Sequence, residues 1–123
     1  MLGLLKGEAV DCVPLMPITM MFAADVAGVK YGDYARDFNV LVDAQIKTAE
    51  KFDFDYVSCI SDPAREAADC GALIRYYDDQ PPAIVEEDAL LADKGRLDDL
   101  RVPNPYSNGR MEDRIQAADL FRS

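Results

Sequence analysis

Histidine is absent from the 123 residues. The side chain most often used as a general base near neutral pH is therefore missing, and catalysis by this chain alone falls to carboxylates, tyrosines, arginines or cysteines. Cysteine is scarce: Cys12, Cys59 and Cys70 are an odd count at wide spacing, with no C-x-x-C. That argues against a disulfide framework and a self-contained zinc site, and it fits a reducing, cytoplasmic setting. Basic residues are outnumbered, 13 against 23 acidic, for a net charge of −10. No basic stripe is available to neutralise phosphates, so neither nucleic acid nor an anionic membrane surface is an expected partner. No apolar run approaches the ~20 residues of a membrane span. At the start, Lys6 and Glu8 interrupt the apolar residues before a signal-peptide core forms. Glycine-rich phosphate loops are missing too, since Ser107-Asn108-Gly109 reads as a helix start.

What remains is an ordinary globular composition, half apolar and 29% charged. The length suits one domain with one modest core. Leu2 to Val10 reads as a short helix with Leu2, Leu4 and Leu5 on its apolar side. Asp11 to Thr19 is a proline-bounded apolar run, the pattern of a strand buried on both faces. Met20 to Val29 predicts a helix ending near Gly28, and Tyr31-Gly32-Asp33 a turn. Asn39 to Phe52 is the clearest helix, with Phe38, Val42, Ile46 and Ala49 as its stripe and Asn39 or Asp37 as its cap. Asp55 to Ser61 is a second buried strand, which completes a βαβ unit with a sufficient crossover. Asp62-Pro63 to Cys70-Gly71 predicts a helical turn. Ala72–Tyr77 and Ala83–Glu87 predict a projecting hairpin around a polar turn, with Tyr76 and Tyr77 alternating across it. Asp88 to Leu100 predicts one or two short helices, and Arg101 to Pro105 a loop. A last helix carries Glu112 and Asp113 in its first turn and buries Met111, Ile115, Ala118 and Phe121.

Three stretches then resemble one family. They are Lys6-Gly7-Glu8 with Asp11-Cys12-Val13-Pro14, Asp53-Phe54-Asp55-Tyr56 through Ser61-Asp62, and Pro82-Ala83-Ile84-Val85 followed by Leu100 to Pro105 and Asn108-Gly109-Arg110-Met111. Their order and spacing are similar to the opening of uroporphyrinogen-decarboxylase-like proteins, which include haem-pathway decarboxylases and cobalamin-linked methyltransferases. The resemblance implies an α/β fold, the N-terminal segment of a (β/α)8 TIM barrel with its site at the C-terminal strand ends. Residues 1–123 would form a single partial domain: the first two parallel barrel strands, Val13–Thr19 and Tyr56–Ser61, with flanking helices and the hairpin excursion. A barrel needs about 250 residues, so the chain is expected to be inactive alone, either truncated or naturally split.

The decarboxylases hold substrate carboxylates with an arginine- and glutamine-containing stretch after the first strand. Pro17 to Phe22 has no arginine, so the methyltransferase branch is the closer likeness and a tetrapyrrole carboxy-lyase the alternative. Zinc and a corrinoid belong, on the resemblance, to a full-length relative; no cofactor is assigned to this chain. Asp62 resembles the family's active-site aspartate, while Asp before Pro is equally a helix cap. Thr19, Met20 and Arg65 are candidate substrate-binding residues at the same mouth. Against that, Met20, Met21 and Phe22 also read as packing residues, and Arg65 with Glu66 as a surface ion pair. Cys59 reads as a buried inert thiol. A non-catalytic module is the remaining alternative. It would self-associate as a homo-oligomer or dock the missing C-terminal barrel portion, with a corrinoid protein as a partner of the complete enzyme.

Overall fold

A computed structural model describes residues 2–123. Met1 and the Leu2 side chain, both part of the reading of the chain's start, lie outside what is described. The elements in order are helices α1 (Leu2–Leu5), α2 (Met20–Ala27), α3 (Tyr31–Arg36), α4 (Phe38–Phe52) and α5 (Arg65–Asp69). Strands β1 (Ile74–Arg75) and β2 (Ala83–Ile84) follow, then 3-10 turns at Glu86–Asp88 and Lys94–Asp99, and helix α6 (Arg110–Arg122).

Local chemistry explains most boundaries. The Asp37 carboxylate accepts the Asn39 N–H at 2.8 Å and starts α4. Asp53, left-handed at φ 56°, ends it by donating its N–H to the Ala49 carbonyl. Gly28 at φ 71° closes α2 in the same way, through Ala24 and Asp25. The turn expected at Tyr31-Gly32-Asp33 is instead the first half of α3. Asp33 in its first turn and Arg36 in its last both favour the helix dipole. Gly32 is there for proximity, because a Cβ on it would lie 2.3 Å from the Tyr77 carbonyl oxygen.

The core gathers Ala23 and Ala24 of α2, Tyr31, Tyr34 and Ala35 of α3, Leu41, Val42 and Ala44 of α4, and Ala117 of α6. Helix α4 lies at the centre, packed on α2, α3 and α6. Alanine dominates this list, so the helices approach closely and only Leu41 and the two tyrosines are large.

Two stripes are rotated from expectation. On α4, Gln45 and Thr48 are buried beside Leu41 and Val42, while Ile46 is 39% exposed. The inward amide of Gln45, described below, holds that rotation. On α6 the buried residues are Arg114 and Ala117; Met111, Ile115 and Phe121 are half-buried and Ala118 is exposed. The Ala35 carbonyl accepts a hydrogen bond from Arg114 at 3.1 Å and turns that face inward.

The hairpin forms as expected but with two residues per strand, Ile74 opposite Ile84 and Arg75 opposite Ala83, antiparallel. Its turn does not project. Asp79 accepts from the Tyr31 N–H at 3.2 Å and from Lys30 Nζ at 2.7 Å, which folds the turn back onto the start of α3.

The two parallel barrel strands are not formed. Neither Val13–Thr19 nor Tyr56–Ser61 belongs to a sheet among the described residues. A buried parallel strand is made by neighbours on its edges and cover on its faces, and here Val13, Leu15, Met16 and Ile18 are exposed. The segments nevertheless lie side by side in the same sense. Asp55 donates its N–H to the Leu15 carbonyl at 3.1 Å, and its carboxylate accepts the Leu15 N–H at 2.9 Å. Further along both, one side chain, Gln45, hydrogen-bonds Thr19 and Ser58. No helix among the described residues is long and apolar enough to cross a membrane.

Candidate functional site

The two segments end together on a polar seam. Gln45, 3% exposed, donates to the Thr19 hydroxyl at 2.8 Å and to the Tyr34 hydroxyl at 2.7 Å, and accepts the Ser58 N–H at 3.2 Å. The Tyr34 hydroxyl donates in turn to the Ile60 carbonyl at 3.1 Å, and the Tyr31 hydroxyl donates to the Ser61 carbonyl. The two rings stack with centroids 5.3 Å apart. Burial, reinforced by Tyr34 and Asp62, pushes the Tyr31 phenol well above its ordinary range, so it stays a donor at any neutral pH. Helix α3 thus holds the end of the second segment by its carbonyls, just before Asp62.

Asp62 has no side-chain exposure. Its carboxylate takes Arg110 Nη2 at 2.6 Å and Nη1 at 3.5 Å, the Ser61 hydroxyl at 2.7 Å and the Ala64 N–H at 3.0 Å. The last contact is the cap-like role that Asp before Pro implies; the arginine is additional. Every contact uses the carboxylate as an acceptor. Arg110 also donates to the Ala35 carbonyl at 2.8 Å and lies 5.7 Å from the Tyr76 ring centroid. Burial alone would lower this guanidinium, but Asp62 outweighs it, with help from Tyr76, and holds it above its ordinary value. Lys30–Asp79 and Lys47–Asp43 are more than half exposed, whereas Asp62–Arg110 and the neighbouring Arg114–Asp113 have the burial to matter energetically.

Arg110 is the residue that sequence reasoning missed. It stands in the Asn108-Gly109-Arg110-Met111 stretch, where the family likeness gives it no role of its own. The signal was there, because a cation at a helix N-terminus opposes the dipole and needs a partner elsewhere. The opposition is relieved twice. Asp69 of α5 accepts the Arg110 and Met111 N–H groups at 2.8 and 2.7 Å, and Asp62 takes the side chain. Gly109 permits this, since a Cβ there would sit 2.5 Å from the Asp69 carboxylate. Gln45 was missed as well; its spacing from Leu41 and Thr48 on α4 places it on the buried stripe.

The remaining candidates divide. Thr19 is buried in the seam, and Met20, next to it, adopts φ 32°, a backbone conformation that costs energy outside glycine and collects at functional sites. Arg65 is 15% exposed in its side chain and lies 3.7 Å from Glu66. A cleft of about 710 Å³ opens on the far side of Arg110, lined by Arg36, Tyr76, Asp69 and Asp113 among others. It contains none of Asp62, Thr19, Met20 or Arg65, and Asp69 and Asp113 there already serve backbone N–H groups, so it is not the mouth of the seam.

The zinc implied by the resemblance does not fit these residues. No group of three Cys, Asp or Glu among the described residues is placed to hold a metal. Cys59, at the seam, is raised by burial and has Arg114 and Arg65 for charged neighbours, which would repel a dication.

A solved methyltransferase from Methanosarcina mazei superposes with a TM-score of 0.78 at 21% identity. The match covers 98% of this chain and 36% of that one, so the 123 residues span about a third of the relative's length. No match was found among curated proteins. The family profile of uroporphyrinogen decarboxylase (URO-D) matches residues 1–123. By that match over its whole length, the chain belongs to the uroporphyrinogen decarboxylase (URO-D) family.

Proposed function

We propose that these residues are the opening third of a methyl-transferring URO-D barrel of the corrinoid-dependent kind, contributing one side of its mouth. The observation that carries this reading is that Gln45 ties Thr19, at the end of the first segment, to Ser58, near the end of the second. Site residues in this architecture come from the ends of several strands. Asp62, fixed by Arg110 and Ser61, orients a donor on the substrate or balances positive charge developing there. Thr19 and Met20 line the mouth beside it, and Arg65 stands at its rim. The absence of arginine from Pro17 to Phe22 favours methyl transfer over decarboxylation of a polycarboxylate. The thiol-activating metal and the other strand ends come from outside these 123 residues.

A chimera tests this. The first third of the Methanosarcina methyltransferase is replaced by this chain, and methyl transfer from methylcobalamin to a thiol is measured. The expected result is a folded chimera with turnover, reduced ~100-fold by Asp62→Asn. A folded chimera with no turnover above background, or one indifferent to Asp62→Asn, rejects the assignment.

A further inference from the structure

The grip of Arg110 on Asp62 is one-sided. Nη2 carries both short contacts, 2.6 Å to Asp62 and 2.8 Å to the Ala35 carbonyl, whereas Nη1 reaches Asp62 only at 3.5 Å. Nε is buried and has no partner. A symmetric fork on a carboxylate fixes the guanidinium plane by itself. Bonds through a single nitrogen leave the plane free to swing about it, and the Nη1 contact is too long to prevent that. There is room for the swing, because Arg110 forms part of the wall of the cleft of about 710 Å³.

Tyr76 borders the same cleft. Its ring centroid lies 5.7 Å from the Arg110 guanidinium carbon and 5.9 Å from that of Arg36. Arg36 is itself anchored, its Nε donating to the Gly32 carbonyl at 2.9 Å. The hairpin, rather than the site, places this ring. Strand β1 ends at Arg75, and the residues just after Tyr76 are fastened to the start of α3. There the Gly32 N–H donates to the Asp78 carbonyl at 2.8 Å, and Asp79 takes the Tyr31 N–H and Lys30. An aromatic ring within reach of a largely desolvated guanidinium attracts it and limits where it can turn.

We propose that Tyr76 is a positioning residue: its ring, held in place by the docked hairpin, keeps the Arg110 guanidinium turned onto Asp62 and out of the cleft. The excursion then serves the site although it gives Asp62 no hydrogen bond of its own. The effect on Arg110 stands by itself, whereas the effect on turnover rests on the methyl-transfer reading.

The test compares the ¹⁵N-labelled chain with its Tyr76→Leu and Tyr76→Phe variants. The solvent-exchange rate of the Arg110 Nε–H is read by NMR, beside the urea midpoint. Tyr76 is 41% exposed, so its replacement leaves the helical core intact. Tyr76→Leu should speed the exchange ~10-fold, as the buried guanidinium loses the ring beside it and opens toward water. Tyr76→Phe should restore the native rate. Asp79→Ala, which unfastens the turn, should move the exchange in the same direction as Tyr76→Leu. In the chimera, Tyr76→Leu should lower turnover ~10-fold by letting Asp62 and its partner drift, and Tyr76→Phe should match the parent. Exchange unchanged in Tyr76→Leu, or not restored by Tyr76→Phe, overturns the inference whatever the urea midpoint does. A working chimera that responds to Asp62→Asn and ignores Tyr76→Leu overturns it too. A chimera without turnover rejects methyl transfer and not this inference, which the exchange rates then decide alone.

Discussion

Arg110 ties together three parts of the chain that are far apart in sequence: the end of α3, the Asp62 turn and the start of α6. Removing one member of such a pair leaves a buried charge, which costs about 3–5 kcal/mol, whereas removing both is much milder. Arg110→Met and Asp62→Asn should therefore each lower the urea midpoint strongly, and the double variant should lie above the sum of the two losses. Additive losses would mean that the two side chains do not act on each other. Half of this pair was legible in advance. Asp62 stands before a proline, at the end of an apolar run, and that pattern marks it as a cap and as a strand-end carboxylate. Its partner lies 48 positions away, and nothing in local spacing reports such a distance. The only local clue was a cation at the wrong end of a helix. Gln45 was hidden for a related reason: it looks polar, and only its register with Leu41 and Thr48 shows that it is buried.

Among the elements, α6 depends on a carboxylate that it does not contain. Asp69, in α5, accepts the first two N–H groups of α6, and Gly109 leaves the room for it to do so. Asp69→Ala should cost about 1–2 kcal/mol, the usual loss of a cap. Gly109→Ala should cost a similar amount by pushing the same carboxylate away. Because both changes break one contact, the double variant should lose little more than either single one; full additivity in thermal or urea melts would show that they act separately. The longer helices α2, α4 and α6 were legible because 3.6-residue periodicity and cap residues are local signals, whereas α3 was hidden behind the turn-like Tyr31-Gly32-Asp33. The first two strands were not legible either. A continuous apolar run says that a segment wants cover on both faces, and it cannot say whether that cover is at hand. The hairpin itself was legible from its polar turn, but its docking was not, since Asp79 reaches back 48 positions to Tyr31.

Taken whole, the molecule buries one side of its helices around α4 and leaves the other side of its first segment bare. Val13 is 77% exposed and Ile18 67%, with Leu15, Met16, Met21 and Phe22 each above 40%. A contiguous apolar surface of this kind marks an association face. The isolated chain should scatter light as a dimer or larger, and a Leu15→Lys, Ile18→Glu variant should return toward one chain per particle. A clean monomer of the unaltered chain would remove that expectation. The side-chain amide of Gln45 has one more implication. It grips both segments at once, so their offset is settled before any neighbouring strand arrives. A slip of one position would turn every residue to the opposite side. One amide works here as a gauge block, and closing a cylinder around it becomes a matter of fitting pieces to a spacing already cut.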